Sequence, residues 1–363
     1  MSTDPVHRVA ERLLAAPPAT AGLSGGLAGS ALLLAELGRH DAGYRAHAHS
    51  HLAAAVAAPT AAARGLFDGI AGLGLVASIA ARLPGEYGSL LASVDGLVRA
   101  QVRQRLSGSY DLADGLVGLG RYLLHRGEEH PELTDLLTRL VTSAHRGWWE
   151  ESTPEMVEAD PAFLGTHANL GMAHGVPGAL ALLALAWRAE VRVAGHDAAV
   201  KTIVDWLFEQ LDDQGDGPYW PGCVTPRGPI PGEGFGWCYG TCGVARAIQL
   251  AAGAFDRPDW ADRAVAVART AVGRLVAEPG LLRDAGLCHG WAGVTQLTGR
   301  MAKDSGDPVL RASADLFAAR LTDFVDVENT GFLDGAAGIG LALDDHARGY
   351  PESGNWDTAL LIS

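Results

Sequence analysis

Cysteine is scarce in this chain, with 4 in 363 residues. That is too few to staple a fold of this length, which excludes a secreted disulfide scaffold and leaves clustered thiols to be read as ligands or reactive groups. Basic residues are in deficit too: 28 Lys and Arg stand against 42 Asp and Glu, a formal net charge of -14. A phosphate-backbone partner needs a basic surface to release counterions, so no nucleic acid is expected as a ligand. No apolar run reaches the length of a membrane span without polar interruption, and the protein is read as not integral to a membrane. The start, "MSTDPVHRVAERLLAAPPATAG", scatters acids and bases where a signal peptide would set a basic segment before an apolar one; the expected localisation is cytoplasmic. Strand signals are sparse. With 48% hydrophobic and 19% charged residues, disorder is not the default, and the chain is long enough for a large core or two ordinary ones.

What the chain does have is glycine, and the glycine is periodic. Gly-x-x-Gly opens a helix-forming stretch seven times, at Gly26, Gly69, Gly115, Gly175, Gly240, Gly290 and Gly335. Intervals of 43 to 65 residues hold two helices and their loops. The stretches behind each motif, such as "GIAGLGLVASIAARL" and "GVPGALALLALAWRAE", are apolar on every side and predict buried helices. Between them, segments 89–106, 131–149, 198–213, 259–277 and 307–326 carry apolar residues at three- and four-residue steps with charges opposite, which predicts half-exposed helices. Seven such alternations predict an all-α fold, an α/α toroid of seven helical hairpins, as a single domain over 1–363. A Gly/Pro-rich excursion at about 212–234 interrupts the fourth interval and is expected to run irregularly over the cavity mouth. The glycines are expected to let backbones approach closely and to supply positive φ at the turn entering each inner helix.

In this register the residues preceding each first glycine form one ring at one mouth: Gly25, Asp68, Asp114, His174, Tyr239, His289 and Asp334. Cys238 and Cys288 share the position before that, and His289 follows Cys288. Two thiols and an imidazole from neighbouring turns form a Cys2His set, and three protein ligands leave the fourth tetrahedral position of a zinc ion open. Cys242, four residues after Cys238, competes as a ligand but has no counterpart in other repeats and reads as packing. Cys223 reads as a loop thiol. His47, His49 and His51 lie at no ring position and read as a solvated outer face.

Five segments, "YDLADGLVGLG" (110–120), "NLGMAHGVPG" (169–178), "WCYG" (237–240), "CHG" (288–290) and "NWDTALLIS" (355–363), together resemble the lanthionine synthetase C-like cyclases, in that family's order and over most of the chain. The resemblance implies an α/α toroid with one Zn2+ per chain. It also implies addition of cysteine thiols of a dehydrated precursor peptide to dehydroalanine or dehydrobutyrine, closing thioether rings, with a separate dehydratase as partner. Carried over by position, Cys238, Cys288 and His289 are the implied metal ligands, His174 and Asp111 the implied acid/base pair, and Tyr239 a site tyrosine. Histidine can protonate the enolate formed by thiol addition; Asp111 is either its orienting partner or a base. One departure stands out: the family often has arginine four residues before the first ligand cysteine, where this chain has Gly234, and Arg227 is the candidate replacement. That departure motivates one alternative, a zinc-bearing peptide scaffold without turnover; an intermolecular thiol transferase on the same fold is a second.

Overall fold

Each Gly-x-x-Gly stretch becomes a helix in the computed structural model, which describes residues 4–58, 65–105, 110–127, 130–213, 215, 217–230, 232, 234–352 and 356–363. The first helices are α1 (Pro5–Ala15), α2 (Leu27–Leu37), α3 (Gly43–Ala57), α4 (Ile70–Ala80), α5 (Gly88–Arg105), α6 (Leu116–Arg126), α7 (Pro131–Arg146) and the short α8 (Pro154–Ala159). There follow α9 (Val176–Arg188), α10 (His196–Glu209), α11 (Thr241–Ala254), α12 (Pro258–Ala277), α13 (Trp291–Ser305), α14 (Pro308–Leu321) and α15 (Ala336–Ala347).

Helices α2, α4, α6, α9, α11, α13 and α15 pack each against the next, and α15 returns to α2, closing an inner ring. Their apolar residues face neighbours on all sides; in α2 every residue from Ala28 to Leu37 is buried. Helices α3, α5, α7, α10, α12 and α14 each fold back on the inner helix before them. The seventh hairpin is made from both ends of the chain, because α1 covers α15. The fold is therefore an α/α toroid.

The glycines do their work differently from the expectation. Among the seven first glycines only Gly240 has positive φ, at 154°; the other six lie between -97° and -143°. Their reason is steric. The loop before each inner helix folds back onto its first turn, so that Leu27, Thr241, Trp291 and Ala336 donate their N–H groups to carbonyls seven residues upstream, which satisfies donors that no side-chain cap takes. In all seven motifs a Cβ on the second glycine would lie under 3.0 Å from the carbonyl six residues before it. No side chain fits there.

Backbone hydrogen bonds then link successive loops around the mouth. Leu23 donates to Phe67, Leu66 to Ala113, Leu112 to Ala173, Ala173 to Cys238, Cys238 to Cys288, Cys288 to Leu333 and Leu333 to Ser24. The circle closes, and it holds the residues at the ring positions in fixed order.

Two features lie outside the repeat. Strands β1 (Glu150–Glu151), β2 (Thr166–Asn169), β3 (Cys223–Thr225) and β4 (Gly228–Pro229) form a small antiparallel sheet in that order. The excursion at 212–234 thus contains a hairpin docked on β2 rather than only irregular chain; its positions 214, 216, 231 and 233 lie outside the described residues. The C-terminal segment 356–362 is buried along its whole length inside the inner ring, touching α4 and α6. Its Leu360 carbonyl accepts from Trp237 Nε1 at 2.8 Å and its Ile362 carbonyl from Arg246 Nε at 2.9 Å.

Candidate metal centre and active site

The ring positions are where the repeat placed them. Gly25, Asp68, Asp114, His174, Tyr239, His289 and Asp334 are all exposed, each beside a buried glycine. The loop circle joins two adjacent turns through the Cys238 N–H and the Cys288 carbonyl at 2.9 Å. The closeness needs Gly236, where a Cβ would sit 2.7 Å from His289 Cα. As a result one ligand atom from each of Cys238, Cys288 and His289 falls within 4.8 Å of the other two. No other such group of three His, Cys, Asp or Glu occurs among the described residues.

The Cys238 thiol is lowered to about 7, first by the hydrogen bond with Cys288 and further by His289. The same contact pushes Cys288 upward, because a second charge beside the first is disfavoured. Asp284 and Asp334 flank His289, 3.7 Å from Nε2 and 3.9 Å from Nδ1. The donor set, two sulfurs and an imidazole with a half-exposed face, fits zinc.

On the neighbouring loop His174 Nδ1 is hydrogen-bonded to Asp111 Oδ2. Asp111 is itself fixed, its Oδ1 accepting from the Asp114 N–H at 2.7 Å. The His174–Asp111 bond raises His174 above the ordinary imidazole value against the effect of burial, and the Cys238 charge raises it further. Tyr239 stacks on His174 with ring centroids 6.0 Å apart, and burial raises its phenol to about 12. The structure therefore brings together all six residues singled out in the sequence.

The arginine question has a geometric answer. A Cβ on Gly234 would lie 2.6 Å from the Tyr239 carbonyl, so this backbone leaves no place for a side chain there. Arg227 does not substitute: its Nη2 donates to the carbonyls of Ala162 at 2.8 Å and Leu164 at 3.1 Å, pinning the loop before β2. Sequence reasoning missed the sheet's contribution. Asn169 on β2 donates to Tyr239 at 2.7 Å, and Cys223 pairs with it on β3. Burial pushes Cys223 up to about 11, which keeps it protonated beside the site rather than nucleophilic. Glu150 on β1 is half-buried, and burial with the nearby Asp111 charge raises its carboxyl. Cys242 is buried in the first turn of α11. His51 corrects the reading of an outer solvated face, since it is buried and its Nδ1 lies 2.8 Å from Ser30 Oγ of α2.

A cavity of about 1050 Å³ opens at the other end of the toroid, between the C-terminal ends of the inner helices, lined by Arg246, Arg300, Lys303 and Asp304 among others. Arg300 and Arg246 there are committed to Asp357, Asp345 and Asp304, and the lining lacks the thiols and histidines that distinguish the mouth.

An α/α toroid with a thiol–imidazole cluster and a His–Asp pair at one mouth is a fold and site that define a class. Residues 17–361 match the family described as "Lanthionine synthetase C-like protein". The chain belongs to that family. Its fold is similar to that of a solved "Nisin cyclase", with a TM-score of 0.82 at 20% identity over 98% of this chain and 96% of the other. No curated protein matches the sequence. Among the described residues no helix is long and apolar enough to cross a membrane.

Proposed function

We propose that this protein is a zinc-dependent cyclase that adds cysteine thiols of a dehydrated peptide to dehydroalanine or dehydrobutyrine within the same peptide. The observation that carries the reading is the convergence of Cys238, Cys288 and His289 within 4.8 Å, one loop away from the His174–Asp111 pair. Cys238, Cys288 and His289 would hold the metal, which when bound lowers the pKa of a thiol presented at its open position and exposes the sulfur for attack. The rest falls to the chain. Addition of the sulfur to the β-carbon moves the C=C electron pair towards the carbonyl oxygen and makes an enolate. His174, whose protonated form Asp111 favours, gives its proton to the α-carbon, and the proton lost by the thiol restores it. Asp111 holds the ring by Nδ1, so Nε2 is the nitrogen that faces substrate. Sulfur and hydrogen add across one double bond, and no oxidant is consumed.

The partner is a peptide, dehydrated by a separate dehydratase. The test is zinc per chain by elemental mass spectrometry for wild type and Cys288→Ala. Near one in wild type and near none in the variant supports the reading; none in folded wild-type protein never exposed to chelator contradicts it. A peptide scaffold without turnover is favoured instead if the activity of a modification complex survives His174→Ala unchanged.

A further inference from the structure

A Cβ on Gly234 would lie 2.6 Å from the Tyr239 carbonyl, so position 234 brings no cation to the developing enolate oxygen. We infer that the Tyr239 hydroxyl takes that place as a hydrogen-bond donor, and that Asn169 is the positioning residue that aims its proton into the mouth. This rests on the cyclase reading and names a further part of the same site.

Hydrogen-bond polarity orients the pair. The Gly171 backbone N–H can only donate, and it lies 2.8 Å from Asn169 Oδ1. That fixes which end of the amide is oxygen. The amide NH2 must then face Tyr239, with Nδ2 2.7 Å from the phenolic oxygen. Tyr239 is the acceptor in that bond, so its own O–H hydrogen points elsewhere. No acceptor for it occurs among the described residues, although Tyr239 is 36% exposed and its ring is stacked on His174 at the mouth. Asn169 is almost wholly buried and held in register by β2, whose Asn169 pairs with Cys223 of β3. The Gly171 backbone packs close against that phenol: a Cβ there would lie 2.9 Å from the Tyr239 ring. The sheet inserted between α7 and α9 and in the excursion thus has a task, which is to orient one phenol. A donor that is oriented before charge develops needs no reorganisation when the enolate forms. No proton leaves Tyr239 in this step; it stabilises the oxyanion while His174 protonates carbon.

The test reverses the polarity while keeping the shape. In Asn169→Asp the carboxylate accepts from both Gly171 and Tyr239, turning the phenolic proton away from the mouth. Zinc-loaded wild type, N169D and Tyr239→Phe are compared on a synthetic peptide bearing one cysteine and one dehydroalanine, following loss of alkylatable thiol above the uncatalysed rate. Both variants are expected to fall by about 10²-fold in kcat, the effect of losing one oxyanion donor, with zinc content unchanged, and N169D/Y239F is expected to be no slower than Y239F. The rate of N169D relative to wild type is expected to recover as pH falls, because the protonated carboxyl again donates to Tyr239; Y239F shows no such recovery. Wild-type rates in either single variant, a pH-independent deficit in N169D, or loss of zinc from N169D would overturn the positioning role while leaving the cyclase reading intact. No ring closure by wild type removes the cyclase reading and the donor role with it.

Discussion

Replacing Asp357 with alanine tests whether the C-terminal segment supports the site from within the ring. Asp357 is fully buried and accepts from Arg300 Nε at 2.7 Å, Gln296 Nε2 at 2.8 Å and Ser363 Oγ at 2.6 Å. Removing one member of a buried ion pair costs about 3–5 kcal/mol, since the remaining charge is left in a poor solvent. Two facts put Asp357→Ala at the lower end. Arg300 keeps Asp345 at 3.1 Å and the Pro351 carbonyl at 2.9 Å. Asp345 is pushed up to about 6 by burial and then by the Asp357 charge, and that repulsion disappears. A loss of about 3 kcal/mol is expected, read as a lower urea midpoint with an unchanged slope by tryptophan fluorescence. Because Trp237, next to Cys238, donates its indole N–H to Leu360 of the same segment, zinc affinity of the folded variant should fall as well. A destabilisation below about 1 kcal/mol, with zinc affinity intact, would refute the idea that this segment anchors the metal loop.

Other consequences can be checked more simply. Asp111→Asn removes the group that raises His174, so the alkaline limb of the ring-closure profile should move to lower pH and kcat should fall by about 10²-fold; an unmoved limb would separate Asp111 from His174. Since the pKa of His174 is raised in the fold, its contribution to stability is present below the unfolded value and is lost as pH rises through the folded one, and denaturant midpoints of D111N should lose that slope. Gly293→Ala sets a methyl against the Leu287 carbonyl and should cost about 1–3 kcal/mol by overpacking, whereas the same change at Gly253, with open space around it, should stabilise α11 by a few tenths to about 1 kcal/mol. Equal effects at the two would contradict the steric reading of the motif.

The toroid was legible because its causes are local and repeated. Every inner helix needs two glycines where its loop folds back, and seven copies in near register expose both the ring and the residue that faces the mouth. Cys238, Cys288, His289, His174 and Tyr239 could be brought to one mouth from register alone, and Asp111 and the roles of His174 and Tyr239 from family resemblance. What stayed hidden has no local signature. Strands of two to four residues, β1 to β4, are too short for an alternating pattern, so the contributions of Asn169 and Glu150 were invisible. The Asn169–Tyr239 bond spans 70 residues. The burial of 356–362 depends on the hollow left by the inner ring rather than on anything its own residues declare, and α1 completes the seventh hairpin only because the ring closes. Positive φ was expected for a glycine motif whose need, at six of seven positions, is space.

The most direct measurement is the number of alkylatable thiols in a dehydrated peptide after incubation with zinc-loaded wild-type protein and with Cys238→Ala, read by mass spectrometry before and after alkylation. Intramolecular addition leaves the peptide mass unchanged while removing thiols. The account predicts that loss with wild type and none beyond the uncatalysed background with the variant. Equal loss with both proteins, or a gain in peptide mass from an added thiol, would contradict it.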